Sequence, residues 1–132
     1  MGATTQQAPL RVAVRMGAEN DREVVAPALD VLDECHVGAQ WRVLSAHRTP
    51  DAVAHFSRET RGRGIGVIIA AASGAAHLAG VDSARNAALL AIAILAVSDP
   101  QRASQLTAYR EPQGELVLAC DDRIRQSRRG SA

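Results

Sequence analysis

The chain has 132 residues, 47% of them apolar, and a formal net charge of +1. That length makes one domain the default and allows a real but modest core. The near-neutral balance implies no strong field for nucleic acid or for an acidic surface.

Residues 10–16 alternate apolar side chains with Arg11 and Arg15 and then meet Gly17, which reads as a first strand. Residues 17–21 form the next loop, with Asn20 or Asp21 as helix N-cap. Val24, Val25, Ala28, Leu29, Val31, Leu32 and Cys35 recur at helical spacing to about His36, and Gly38 is expected to stop that helix. An apolar run at 41–44 predicts a second strand. Thr49 as N-cap, Pro50 at the first helical position and Asp51 in the first turn then predict a helix over 50–61. Its inner side is expected to carry Val53, Ala54, Phe56 and Ser57.

Gly62 and Gly64 end that helix, and the apolar run at 67–71 suits a buried parallel strand. Residues 72–80 are rich in Ala and Gly and predict a third strand-end loop, close enough for backbone to approach a ligand. Simple tight packing is the plainer reading of that stretch. Ser83 is expected to cap a largely buried, Ala-rich helix over 85–97. Ser98-Asp99-Pro100 restarts a helix that carries Leu106 and Tyr109, and Pro112 and Gly114 are expected to end or kink it. Residues 115–119 predict another short piece. The arginines at 123, 125, 128 and 129 read as a frayed tail.

Cys35 and Cys120 are isolated, which suggests reduced, mostly buried thiols in a cytoplasmic protein. Neither belongs to a metal-ligand pattern. Residues 1–8 lack an apolar signal core, and the longest apolar run, 86–97, is too short to span a membrane.

Three strand–loop–helix units predict an α/β fold: an open parallel sheet of about three strands in order 2-1-3, helices on both faces, and two C-terminal helices. The three loops then share one sheet edge, where open α/β sheets bind ligands. The turn Ser45-Ala46-His47-Arg48-Thr49-Pro50 is the most chemically loaded of them. Ser45 and Arg48 beside a helix N-terminus suit a phosphate or carboxylate. His47 can exchange a proton near neutral pH. A solvated turn with a capping threonine is the plainer alternative.

Met16-Gly17-x-x-x-Asp21, Ser45-Ala46-His47-Arg48-Thr49-Pro50 and Gly74-Ala75-Ala76-His77-Leu78-x-Gly80 resemble the carboxyaminoimidazole ribonucleotide mutase family of purine biosynthesis, whose other branch carboxylates aminoimidazole ribonucleotide directly. Asn86-Ala87-Ala88-Leu89-Leu90-Ala91 resembles the family's penultimate helix, and the likeness covers about residues 12–118. It implies a flavodoxin-like fold, a single domain over residues 9–119 and flexible tails at 1–8 and 121–132. It also implies that carboxyaminoimidazole ribonucleotide becomes carboxy-aminoimidazole ribonucleotide by decarboxylation and recarboxylation. No metal or organic cofactor is implied. The partners are a ribonucleotide and carbon dioxide, with no nucleic acid or membrane, and the protein is expected to be a homo-oligomer.

By the same resemblance His47 is the acid/base, and Ser45 and Arg48 hold the phosphate. Gly17, Asn20 and Asp21 belong to the phosphate and ribose loop, where Ala18 and Asn20 replace the usual serines. Ser73, Gly74, Ala75 and His77 flank the imidazole and the migrating carboxylate, and Ala79 replaces a usual proline. Between Gly80 and Asn86 the family carries two more strands, their helix and a further substrate loop, all absent here. An inactive or shortened homologue that only binds a ribonucleotide phosphate, or a remnant without function, stays open beside the enzyme.

Overall fold

The computed structural model describes residues 8–71 and 73–129, with side chains at 8–71 and 84–127. β1 (Arg11–Met16) lies at the centre of a parallel sheet, flanked by β2 (Ala39–Val43) and β3 (Ile65–Ala71), so the order is β2-β1-β3. That is the expected architecture, with strand ends shifted by a residue or two. The pleat sends Val12 and Val14 to one face of β1 and Ala13 to the other, and all three are fully buried. Along β3 the register steps from Arg11 opposite Ile65 to Val12 opposite Val67, leaving Gly66 as a bulge. A Cβ there would stand 2.7 Å from Leu95 Cδ2 and 3.0 Å from Leu10 Cδ1, so a larger residue would have to displace those two side chains.

A 3-10 turn (Glu19–Asp21) leads into α1 (Arg22–Glu34). The helix buries Val25, Ala28, Leu29, Val31 and Leu32 against Val12 and Val14. It ends through His36, which takes the positive φ of 56° that was expected of a glycine at 38. α2 (Pro50–Glu59) covers the opposite face, where Phe56, 2% exposed, packs with Ala13, Leu44 and Ile65. Val53 is half-buried, while Ala54 and Ser57 are exposed, so the inner face of α2 is narrower than its spacing suggested.

The largest departure from expectation lies after β3. One helix, α3 (Ser73–Ala96), replaces the expected loop over 73–80 and the later start at Ser83. Alanines at 75, 76, 79 and 84 favour helix, Gly74 and Gly80 cost about 1 kcal/mol each, and packing of the same helix on the core through Ala88, Ala91 and Ile92 tips the balance. Ala72, part of that expected loop, lies outside the described residues. α3 packs Ala88, Ala91, Ile92 and Leu95 on α1's side of the sheet. Its opposite stripe is not buried, contrary to expectation: Leu90 is 63% and Ile94 50% exposed, and Val97, just beyond the helix, is 87% exposed.

α4 (Pro100–Arg129) also runs on where an end was expected, passing through Pro112. Pro112 forfeits one backbone hydrogen bond. The Glu-, Leu-, Ala- and Arg-rich sequence that follows still favours helix. Residues 121–129 are helical where a tail was expected, and 110–127 are exposed throughout. Cys120 is therefore exposed, not buried, while Cys35 lies in the core, where burial and Glu34's charge push its thiol up. Arg102, 5% exposed, fixes the start of α4. Its guanidinium donates to the His36 carbonyl at 2.7 Å and to Gln105 at 3.2 Å, and lies 3.8 Å from Asp99. No described helix is long and apolar enough to cross a membrane.

Candidate functional site

Because the three strands run parallel, the segments after β1, β2 and β3 leave the sheet at one edge. The first is the 17–21 loop. It holds Asp21 at the N-cap position of α1 with 1% exposure, while Asn20 stays exposed. Arg22 then sets its guanidinium over the Trp41 ring, 5.7 Å from the centroid, which ties this end of α1 to β2.

The second segment is the 44–49 turn, and its geometry is set by hydrogen bonds to one residue. The Thr49 N–H donates to the Ser45 carbonyl at 2.8 Å. The Thr49 hydroxyl donates to the same carbonyl at 3.0 Å and accepts the Ser45 N–H at 3.0 Å. The Arg48 N–H donates to Ser45 Oγ at 3.2 Å. Thr49 thus sits at the N-cap position of α2 but makes no side-chain cap, contrary to the sequence reading. Its oxygen turns back to close the loop. Ser45 Oγ accepts one bond and keeps its proton to donate.

The Arg48 guanidinium crosses from this turn to the first loop, donating from Nη2 to the Gly17 carbonyl at 2.8 Å. A shallow cleft of about 300 Å³ opens beside that link, lined by Gly17, Ala18, Ser45, Arg48 and Thr49, with Val43 and Glu19 at its sides. Arg48 and the nearby N-terminus of α2 bring positive potential to it, and Glu19 brings the opposite sign. His47 lies on the same turn and is exposed. Asp21 and His47 do not line this cleft.

The third segment is the start of α3. Ser73, Gly74, Ala75 and His77 lie in its first two turns, as helical backbone, and their side chains lie outside the described ones. α3 also packs against the Glu19–Asp21 turn. Among the described residues no group of three or more His, Cys, Asp or Glu is placed to hold a metal ion.

The sequence reading left Thr49 and Val43 out of the site. A threonine before Pro50 reads first as a cap. Only its spacing of four from Ser45 hinted at a closed turn, and Val43 gave no signal beyond its place at a strand end.

A family model for AIR carboxylase matches residues 11–84, which include all three segments. N5-carboxyaminoimidazole ribonucleotide mutase of Pyrococcus abyssi is 33% identical over 143 residues, covering 76% of this chain and 82% of the relative. The Mycobacterium tuberculosis protein of the same name is 30% identical over 158 residues, covering 88% and 91%. An aligned stretch of 158 positions is longer than the chain itself, so this relative carries residues with no counterpart here. The Bacillus subtilis mutase is 47% identical over 75 residues, covering 57% of this chain and 46% of the relative. Among solved structures, Treponema denticola PurE superposes with a TM-score of 0.67 at 20% identity, over 86% of this chain and 97% of that one, a likeness of fold. With the family model spanning more than half of its residues, the chain belongs to the AIR carboxylase family.

Proposed function

We propose that the chain is an N5-carboxyaminoimidazole ribonucleotide mutase of de novo purine biosynthesis, with residues 9–119 as the working unit. The observation that carries this is the Arg48–Gly17 link at 2.8 Å. It fastens the loop bearing Asp21 to the turn bearing Ser45 and His47, in a member of a family whose relatives bear that name.

Ser45 and Arg48 hold the substrate phosphate, and Gly17, Asn20 and Asp21 hold the ribose side. The segment with Ser73, Gly74, Ala75 and His77 lies beside the imidazole and the migrating carboxylate. The carbamate N–C bond breaks and releases carbon dioxide within the site, and a C–C bond then forms at the ring carbon. His47 gives a proton to the exocyclic nitrogen and takes one from the ring carbon, so the proton count closes. A positioned acid/base of this kind contributes about 10²–10⁴-fold. The partners are the ribonucleotide and carbon dioxide in a cytoplasmic homo-oligomer.

Incubation with the carboxyamino ribonucleotide, followed by its loss and the appearance of the C-carboxylated product, tests the reading. Turnover only with aminoimidazole ribonucleotide and carbon dioxide would assign the direct carboxylase branch instead. A second reading, a homologue that binds the ribonucleotide without turnover, is favoured by Ala18, which lines the cleft without a hydroxyl. Calorimetric binding without product formation would establish it.

A further inference from the structure

We propose that Thr49 is a positioning residue for this site, and that its hydroxyl sets Ser45 and Arg48 for the substrate phosphate; the phosphate assignment rests on the mutase reading. The argument starts from how the two hydroxyls of the turn are used. Thr49 Oγ spends its proton on the Ser45 carbonyl and receives the Ser45 N–H, each at 3.0 Å. A hydroxyl has one proton, so Thr49 has none left for a ligand. Ser45 Oγ is the reverse case: it accepts the Arg48 N–H at 3.2 Å and keeps its own proton. The turn therefore separates a locking hydroxyl from a binding one.

The lock acts on both ligating residues. Thr49 fixes the backbone of Ser45 at its N–H and at its carbonyl, where the Thr49 N–H also arrives at 2.8 Å. Ser45 Oγ fixes the backbone of Arg48, whose guanidinium is in turn tied to the Gly17 carbonyl. One hydroxyl thereby stands at the head of a chain of contacts running from the start of α2 to the first loop. That chain adds little to the core, because residues 46–49 are exposed and Ser45 and Gly17 are only half-buried. Removing the Thr49 oxygen frees the turn without opening a cavity.

The test uses the full chain with Thr49→Val, which keeps the branched shape and loses the oxygen, and Thr49→Ser, which keeps the oxygen. Amide hydrogen exchange at Ser45 reads the lock without any ligand. Calorimetry with inorganic phosphate and with ribose 5-phosphate reads the site, and turnover is split into kcat and KM. In the parent the Ser45 amide is expected to be protected. Thr49→Val is expected to lose that protection, weaken both phosphate ligands about tenfold and raise KM more than it lowers kcat. Thr49→Ser is expected to restore all three to within about threefold of the parent, which bulk destabilisation would not do.

An unprotected Ser45 amide in the parent overturns the proposal, as does Thr49→Val with parental phosphate affinity. A parent that binds phosphate but never turns over sinks the mutase reading alone; the exchange and phosphate measurements still decide the role of Thr49.

Discussion

Replacing Arg48 with alanine removes two interactions of unequal weight. The first is the Nη2 bond to the Gly17 carbonyl at 2.8 Å, on an exposed side chain. Water replaces most of it, so global stability is expected to fall by no more than about 1 kcal/mol. The second is the charged hydrogen bond to the substrate phosphate, worth about 1.5–3 kcal/mol, or roughly 10–150-fold in affinity. Loss of the link also releases the first loop from the turn, which pushes the effect toward the upper end. Arg48→Lys separates the two, because an ammonium keeps the charge but cannot reach the phosphate and the Gly17 carbonyl with one planar fork. It is expected to recover part of the affinity and most of the salt dependence. Calorimetry with ribose 5-phosphate at low and high salt measures both. Parental affinity should fall as salt rises and that of Arg48→Ala should be flatter. Equal affinity of parent and Arg48→Ala at low salt would refute the phosphate assignment.

Two further substitutions probe the chemistry and the frame. His47→Asn keeps size and some hydrogen bonding but transfers no proton at neutral pH, so turnover is expected to fall about 10²-fold or more with substrate binding little changed. Unchanged turnover removes His47 from the mechanism. Arg102→Met keeps the apolar stem but removes the buried donors to the His36 carbonyl and Gln105. A loss of about 2–4 kcal/mol in chemical denaturation is expected, and a parental midpoint would mean that α4 is held by other contacts.

The three strands were legible because residues 10–16 alternate, residues 41–44 and 67–71 run apolar, and stretches of helical spacing separate them; the repeated strand–loop–helix unit then implied a parallel sheet. The 44–50 turn was legible because threonine, proline and aspartate stand together at a helix start. The start of α3 was not, for a physical reason. Ala72-Ser73-Gly74-Ala75-Ala76 carries no large side chains, so it shows neither a period of two nor one of 3.6. Glycine argues for a loop and alanine for a helix, and only packing on the core through Ala88, Ala91 and Ile92 decides. Helix α4 misled for the opposite reason. Pro112 is a strong local breaker, yet its cost is local, and the sequence beyond it has helix propensity enough to continue. Thr49 shows a further limit: the same residue type caps a helix or closes a turn, and the choice depends on where its hydroxyl swings.

Strand β3 carries the last prediction, that the chain self-associates through it. Among the described residues β3 pairs with β1 alone, so its outer N–H and C=O groups form an open edge. The strand reads Ile65-Gly66-Val67-Ile68-Ile69-Ala70-Ala71, with no charge and no proline to blunt that edge. β2, at the other edge, carries Gln40 and Arg42. An uncharged strand can meet its own copy antiparallel about a twofold axis through Ile68, which sets Val67 opposite Ile69 and brings no like charges together. Ile68, 40% exposed, would then lie beside its copy on the open face. Exposed Leu90 and Ile94 on α3, with Val97 just beyond its end, offer further apolar surface to a neighbour. Sedimentation across micromolar concentrations is expected to show a dimer that dissociates on dilution. Ile68→Lys places two ammonium groups across the axis and is expected to give a folded monomer, because the substituted side chain starts exposed. A parent chain that stays monomeric at micromolar concentration and unfolds cooperatively would refute the pairing, and so would an Ile68→Lys variant that dimerises as tightly as the parent.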